Sequence, residues 1–177
     1  MSTPHLPPNA VALPVVPAAP NAHYERLGGA PAVEQLVLAF YRAMDTRPDA
    51  QVIRAMHAPD LAHTRQVLVT YLSEWLGGPR HYTPTRGAPM LRRRHQPFDI
   101  DNSARDAWMA CMRQALAEVC SDDALRAELD AAFYKVADFI RNTESGGAQR
   151  AHPGRPRELQ PDQPAAPHTS SPTRSVP

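Results

Sequence analysis

Proline placement limits what this chain can fold into more than any other feature. Thirteen of the twenty prolines lie outside residues 24–145, six in 1–23 and seven in 146–177, leaving seven for the 122 residues between. The two end segments, rich in Pro and, toward the C-terminus, in Ser and short polar residues, cannot bury enough apolar surface to offset chain entropy. The sequence therefore predicts one compact domain over 24–145 with disordered Pro-rich tails over 1–23 and 146–177. A domain of that length can bury about two-thirds of its surface and fold alone.

Charge narrows the class further. A single lysine, Lys135, stands against eighteen arginines, and the formal net charge is +1. The C-terminal tail contributes +2, the N-terminal tail 0 and the core −1. No nucleic-acid or acidic-membrane partner is expected from that balance. No run of 18 or more apolar residues occurs, so no membrane span is expected. The first twenty residues lack a basic start, and Pro14, Pro17 and Pro20 break their apolar stretch, which predicts a cytoplasmic protein. Cys111 and Cys120 fit neither a disulfide framework nor a CxxC metal site.

Within the core the apolar spacing is helical. Val33, Leu36, Val37, Phe40, Tyr41 and Met44 recur at i, i+3, i+4, i+7, i+8 and i+11, which is one helix face over Ala30–Met44. Pro31 falls in its first turn, and Gly28-Gly29 predict a sharp corner after a short preceding helix. Leu61, Thr64, Leu68, Tyr71, Leu72 and Trp75 repeat the pattern until Gly77-Gly78-Pro79 stop it. Residues 47–59 and 79–90 read as loops, followed by a short apolar-basic piece from Met90 to His95. Asn102 or Ser103 is expected to cap a third long helix, with Ala107, Trp108, Cys111, Ala115, Leu116 and Val119 facing inward. A fourth begins near Asp122 and buries Leu125, Leu129, Ala132, Phe133, Val136, Phe139 and Ile140. No segment alternates with period two. The predicted fold class is all-α, with four long helices in two antiparallel pairs and a short fifth element between the pairs.

Four amphipathic helices do not define a function. The long interruption between the second and third of them is more informative, since an unstructured linker of that length inside a compact domain is usually functional. One thing such a segment can do is wrap a large flat ligand.

Five motifs in order carry a resemblance: Tyr24-Glu-Arg-Leu-Gly-Gly29, Phe40-Tyr41, Leu76-Gly-Gly-Pro79, Leu91-Arg-Arg-Arg-His-Gln-Pro-Phe98 and Arg105-Asp-Ala-Trp-Met-Ala-Cys-Met112. With His95 and Trp108 thirteen residues apart, residues 24–143 resemble the group II truncated haemoglobins. That resemblance implies a truncated globin fold, a two-over-two helical sandwich holding one non-covalent haem b. It also implies a role for particular residues. His95, which alone would read as a surface histidine on an arginine-rich turn, matches the proximal iron ligand. Tyr41 and Trp108 match distal hydrogen-bond donors to dioxygen, a role compatible with their being ordinary core aromatics.

Thr64 matches the small residue of the distal helix, and His63 beside it should point away from the haem. At the preceding corner a gap-free count from Gly77 selects Met56, and a count with one gap selects His57. His57 is preferred because imidazole can hydrogen-bond a ligand or Tyr41, with an exposed loop histidine as the alternative. Arg94 is the first candidate for the haem propionates, with Tyr82, Arg86 and Arg92 behind it. Leu68, Leu72, Leu91 and Phe98 are expected to line the apolar pocket.

The expected ligands are O₂ and other diatomic molecules such as NO and CO. A redox enzyme on the same haem, oxidising NO or consuming peroxide with electrons from a separate donor, is the alternative. A haem-free helical interaction domain with binding carried by the Pro-rich tails is the alternative of another class.

Overall fold

The computed structural model describes residues 22–144. The tails predicted as disordered lie outside the described residues, apart from residues 22 and 23. His23, assigned above to the N-terminal tail, instead opens the first helix. Eight α-helices follow in order: α1 His23–Leu27, α2 Gly29–Thr46, α3 Gln51–Ala55, α4 Ala62–Trp75, α5 Tyr82–Arg86, α6 Leu91–His95, α7 Asn102–Val119 and α8 Asp123–Ile140, with a 3₁₀ turn at Pro48–Ala50. No strand occurs among the described residues, and none of their helices is long and apolar enough to cross a membrane.

The four long helices form the predicted framework. α2 packs against α7 and α4, and α7 packs against α8. The face predicted on α2 is buried throughout: Val33, Leu36, Val37, Phe40, Tyr41 and Met44 are all at most 4% exposed. Each such large apolar side chain contributes about 1.5–3 kcal/mol by leaving water. The prediction for α7 needs correction at one edge. Met109 and Met112 are fully buried, whereas Trp108 and Val119 are half-buried and pack against the margin of the core. On α8, Leu125, Leu129 and Phe133 are buried as expected, but Phe139 is 58% exposed and Ala137 takes the inner position near that end.

The caps and loops differ from expectation for identifiable reasons. α7 is capped by Asp101, not by Asn102 or Ser103; its carboxylate accepts from the Ala104 amide at 2.9 Å and from the Ser103 hydroxyl at 2.7 Å. Residues 79–90 contain the short helix α5, invisible to local pattern because a distant carboxylate anchors it. Glu74, at the end of α4, accepts from the amides of Tyr82 and Thr83 at 2.9 Å each and from the Thr83 hydroxyl. The segment 47–59, read as loop, likewise holds the 3₁₀ turn and α3.

One long-range contact explains two of the sequence motifs together. Gly28 takes φ 116° and Gly29 φ 70°, so the corner after α1 requires backbone that favours glycine. The turn sets Tyr24 against the Leu76-Gly77-Gly78 stop: the Tyr24 amide donates to the Leu76 carbonyl at 2.9 Å. A Cβ at Gly78 would lie 2.6 Å from the Tyr24 ring and 2.8 Å from the Ser73 carbonyl oxygen. Gly78→Ala is therefore expected to lower stability by about 1–3 kcal/mol, read as an earlier urea midpoint; an unchanged midpoint would show that the Tyr24 ring and the Ser73 backbone both give way freely. At the other side of α1, Arg26 pairs with Glu128 at 2.8 Å and Asp122 at 3.1 Å, tying the helix to α8.

Candidate functional site

α6 is a single turn ending in His95. The His95 Nδ1 lies 2.7 Å from the carbonyl oxygen of Leu91, four residues back on the same turn. A carbonyl can only accept, so Nδ1 carries the hydrogen and Nε2 is left with its lone pair. Nε2 has no partner among the described residues. Burial holds the imidazole below its ordinary pKa of 6.5, against the opposing effect of the Leu91 hydrogen bond. The ring is therefore neutral at physiological pH, the form in which imidazole can bind a metal.

A chain of aromatic rings lies among α2, α4, α7 and α8. Tyr41 meets Phe40 edge-on with centroids 5.0 Å apart, Phe40 meets Trp108 at 5.3 Å, and Trp108 meets Phe133 at 5.9 Å. Trp75 stacks on Phe133 at 4.9 Å. At the other end His57 stands edge-on to Tyr41 at 5.7 Å. Between Met56 and His57, it is therefore His57 that faces Tyr41, while Met56 packs against the core. The His57 Nδ1 is 2.8 Å from the Ile53 carbonyl, which leaves its Nε2 as an acceptor, and burial lowers its pKa. Burial also pushes the Tyr41 phenol up, with Arg65 and Arg54 pulling the other way, so its O–H remains a donor at physiological pH.

The remaining predicted residues separate into groups. Leu91 and Phe98 line one groove with Met90, Phe139 and Asn142 between α6 and the end of α8. Leu68 and Leu72 lie on α4, Leu72 inside the core at 2% exposure and Leu68 half-buried at its margin, next to half-buried Thr64 one turn earlier. Arg94 donates through Nε to the Pro89 carbonyl at 3.0 Å, and Arg86 reaches the His63 Nε2 at 3.5 Å. Tyr82 is buried edge-on against Tyr71 at 5.4 Å, and burial pushes the Tyr71 phenol up to about 12. The Arg92 guanidinium lies over the Phe139 ring, 5.8 Å from the centroid. Cys111 and Cys120 are buried free thiols, and burial pushes the Cys111 thiol up to about 11.

Two residues escaped the sequence reading. Arg65 follows Thr64 on α4, and its Nε is buried without a hydrogen-bond partner. An orphaned donor of this kind calls for an acceptor that the chain does not supply. Asn142, just beyond α8, hydrogen-bonds the backbone around His95. Neither residue has a local signal, since both act through contacts distant in sequence.

A neutral imidazole with a free Nε2, half-buried apolar side chains on α4 and α7, and an unsatisfied cation fit a large, flat, mostly apolar group with acidic edges and a metal to ligate. A helical domain of this shape with such a donor set is a haem protein of the globin class. A family model described as bacterial-like globin matches residues 22–142. The chain belongs to this family, and its cofactor is haem b with one iron. A group 2 truncated hemoglobin of Bacillus subtilis is 38% identical over 106 residues, covering 60% of this chain and 77% of that relative. Two solved structures are similar over nearly their whole length. The cold-adapted truncated hemoglobin of the Antarctic marine bacterium Pseudoalteromonas haloplanktis is 38% identical, with TM-score 0.67 over 69% of this chain and 98% of that one. The group II 2-on-2 hemoglobin of the plant pathogen Agrobacterium tumefaciens is 36% identical, with TM-score 0.68 over 72% and 98%. The all-α, two-over-two architecture predicted from the motifs is therefore the fold of this chain.

Proposed function

We propose that this globin retains O₂, or another diatomic ligand such as NO or CO, in a pocket with His95 on one side and Tyr41, Trp108 and His57 on the other. When bound, haem would supply an iron able to take up a diatomic ligand. The observation that carries the reading is the Leu91 hydrogen bond, which commits the His95 Nδ1 at 2.7 Å and frees Nε2 to be the ligand. Tyr41 and Trp108 donate O–H and N–H bonds toward the opposite space, and Thr64 leaves room there. Arg94, Tyr82 and Arg86 hold the propionates, and Leu68, Leu72, Leu91 and Phe98 exclude water from the ring.

These donors favour a ligand that draws negative charge over one that does not. The test compares O₂ and CO binding in the purified ferrous protein. Two charge-assisted bonds should reduce the preference for CO roughly 100–10,000-fold relative to haem in an apolar site. A CO preference equal to that of an apolar site would remove the donor reading. His57 supports a second reading, peroxide turnover with an external reductant, because its free Nε2 is a neutral base beside Tyr41. Sustained turnover abolished by His57→Leu would favour it.

A further inference from the structure

The helix that carries His95 has no buried residue and only five residues in all. A turn this short is marginal by itself, and its terminal carbonyls need partners. The last of them, the His95 carbonyl, accepts from the Phe98 amide at 3.1 Å and also from a residue 47 positions later in the chain. The Asn142 side-chain amide donates from Nδ2 to the His95 carbonyl at 3.2 Å and to the Phe98 carbonyl at 2.8 Å. Its Oδ1 accepts from the Ile100 amide at 2.9 Å. The backbone amides of Asn142 and Thr143 both donate to the Ile100 carbonyl, at 3.0 and 3.2 Å. One side chain thus uses both its donors and an acceptor on the stretch from His95 to Ile100.

We propose that Asn142 is a positioning residue for the haem ligand: its three side-chain hydrogen bonds fix α6 against the end of α8 and thereby set the direction of the His95 imidazole. The ring is locked to α6 by the Leu91 carbonyl, so whatever orients α6 orients the ring. The Arg92 guanidinium over Phe139 also ties the same two helices, through a contact on an exposed ring. The side-chain chemistry is specific, since asparagine donates and accepts whereas aspartate only accepts and leucine does neither. The proposal rests on His95 being the iron ligand.

Asn142→Leu keeps the side-chain size and removes all three bonds. Asn142→Asp keeps the Ile100 bond, sets a carboxylate against two carbonyls, and guards against poor folding of the leucine variant. The readouts are the iron–histidine stretching band of the ferrous protein, the rate of haem transfer to a haem-free acceptor protein, and amide exchange at Phe98 and Ile100 in the haem-free chain. Both variants are expected to shift or split the band and to release haem at least about tenfold faster; Asn142→Leu also exchanges faster at those two amides, whereas Asn142→Asp, which keeps the acceptor of the Ile100 amide, leaves exchange at Ile100 unchanged. An unshifted band with unchanged haem transfer overturns the proposal, and so does lower stability with an unshifted band, which marks a purely structural residue. Wild-type protein that holds haem but shows no iron–histidine band counts against His95 as ligand, a failure distinct from that of Asn142.

Discussion

His95→Ala is expected to abolish stoichiometric haem binding, removing the intense violet absorption of the purified protein. Loss of an iron ligand leaves only apolar contact and the propionate partners to hold the ring, and even weaker disturbances around a metal cost roughly 10–100-fold in affinity. Adding imidazole should restore absorption in part, because the small molecule can occupy the space vacated by the side chain. His63→Ala serves as the control; His63 is exposed and, among the described residues, reaches only Arg86. Retention of one tightly held haem per chain in His95→Ala, with the wild-type ferrous spectrum, would assign the ligand elsewhere.

Trp108→Phe and Tyr41→Phe are each expected to speed O₂ release by roughly 10–100-fold, the kinetic equivalent of one charge-assisted hydrogen bond of about 1.5–3 kcal/mol. Phenylalanine keeps an aromatic ring against Phe40, which lies 5.3 Å from Trp108 and 5.0 Å from Tyr41 between centroids, so the substitutions remove donors more than packing. CO release, which involves little charge on the ligand, should change far less. Rapid-mixing measurements of both ligands separate the two effects. If neither substitution changes O₂ release by more than about twofold, the donors do not reach the ligand, and retention has another cause.

Legibility from sequence followed the range of the interactions. The faces of α2 and α8 were readable because burial repeats with the helical period, and Leu36, Phe40, Leu125 and Leu129 lie where that period puts them. Periodicity placed Trp108 inside and overlooked Met109 and Met112, because α7 is contacted on more than one side, by α2, α3 and α8. Helix α5 was missed since the charge that anchors it, Glu74, lies in the preceding helix. The motifs around Tyr24 and Gly78 were each visible, but their mutual contact required the fold. The choice of His57 over Met56 rests on imidazole chemistry, and the His57 ring stands edge-on to Tyr41. Arg65 and Asn142 carry no local pattern at all.

The distance in sequence between His95 and Asn142 also imposes an order on synthesis. At roughly 5–20 residues per second, a ribosome reaches Asn142 about 2–9 s after His95. During that interval the histidine turn exists without the backbone grip that closes it, and the last long helix has yet to be completed. If Asn142 closes the histidine turn as proposed, the haem site is completed only once the last long helix and Asn142 have been synthesised.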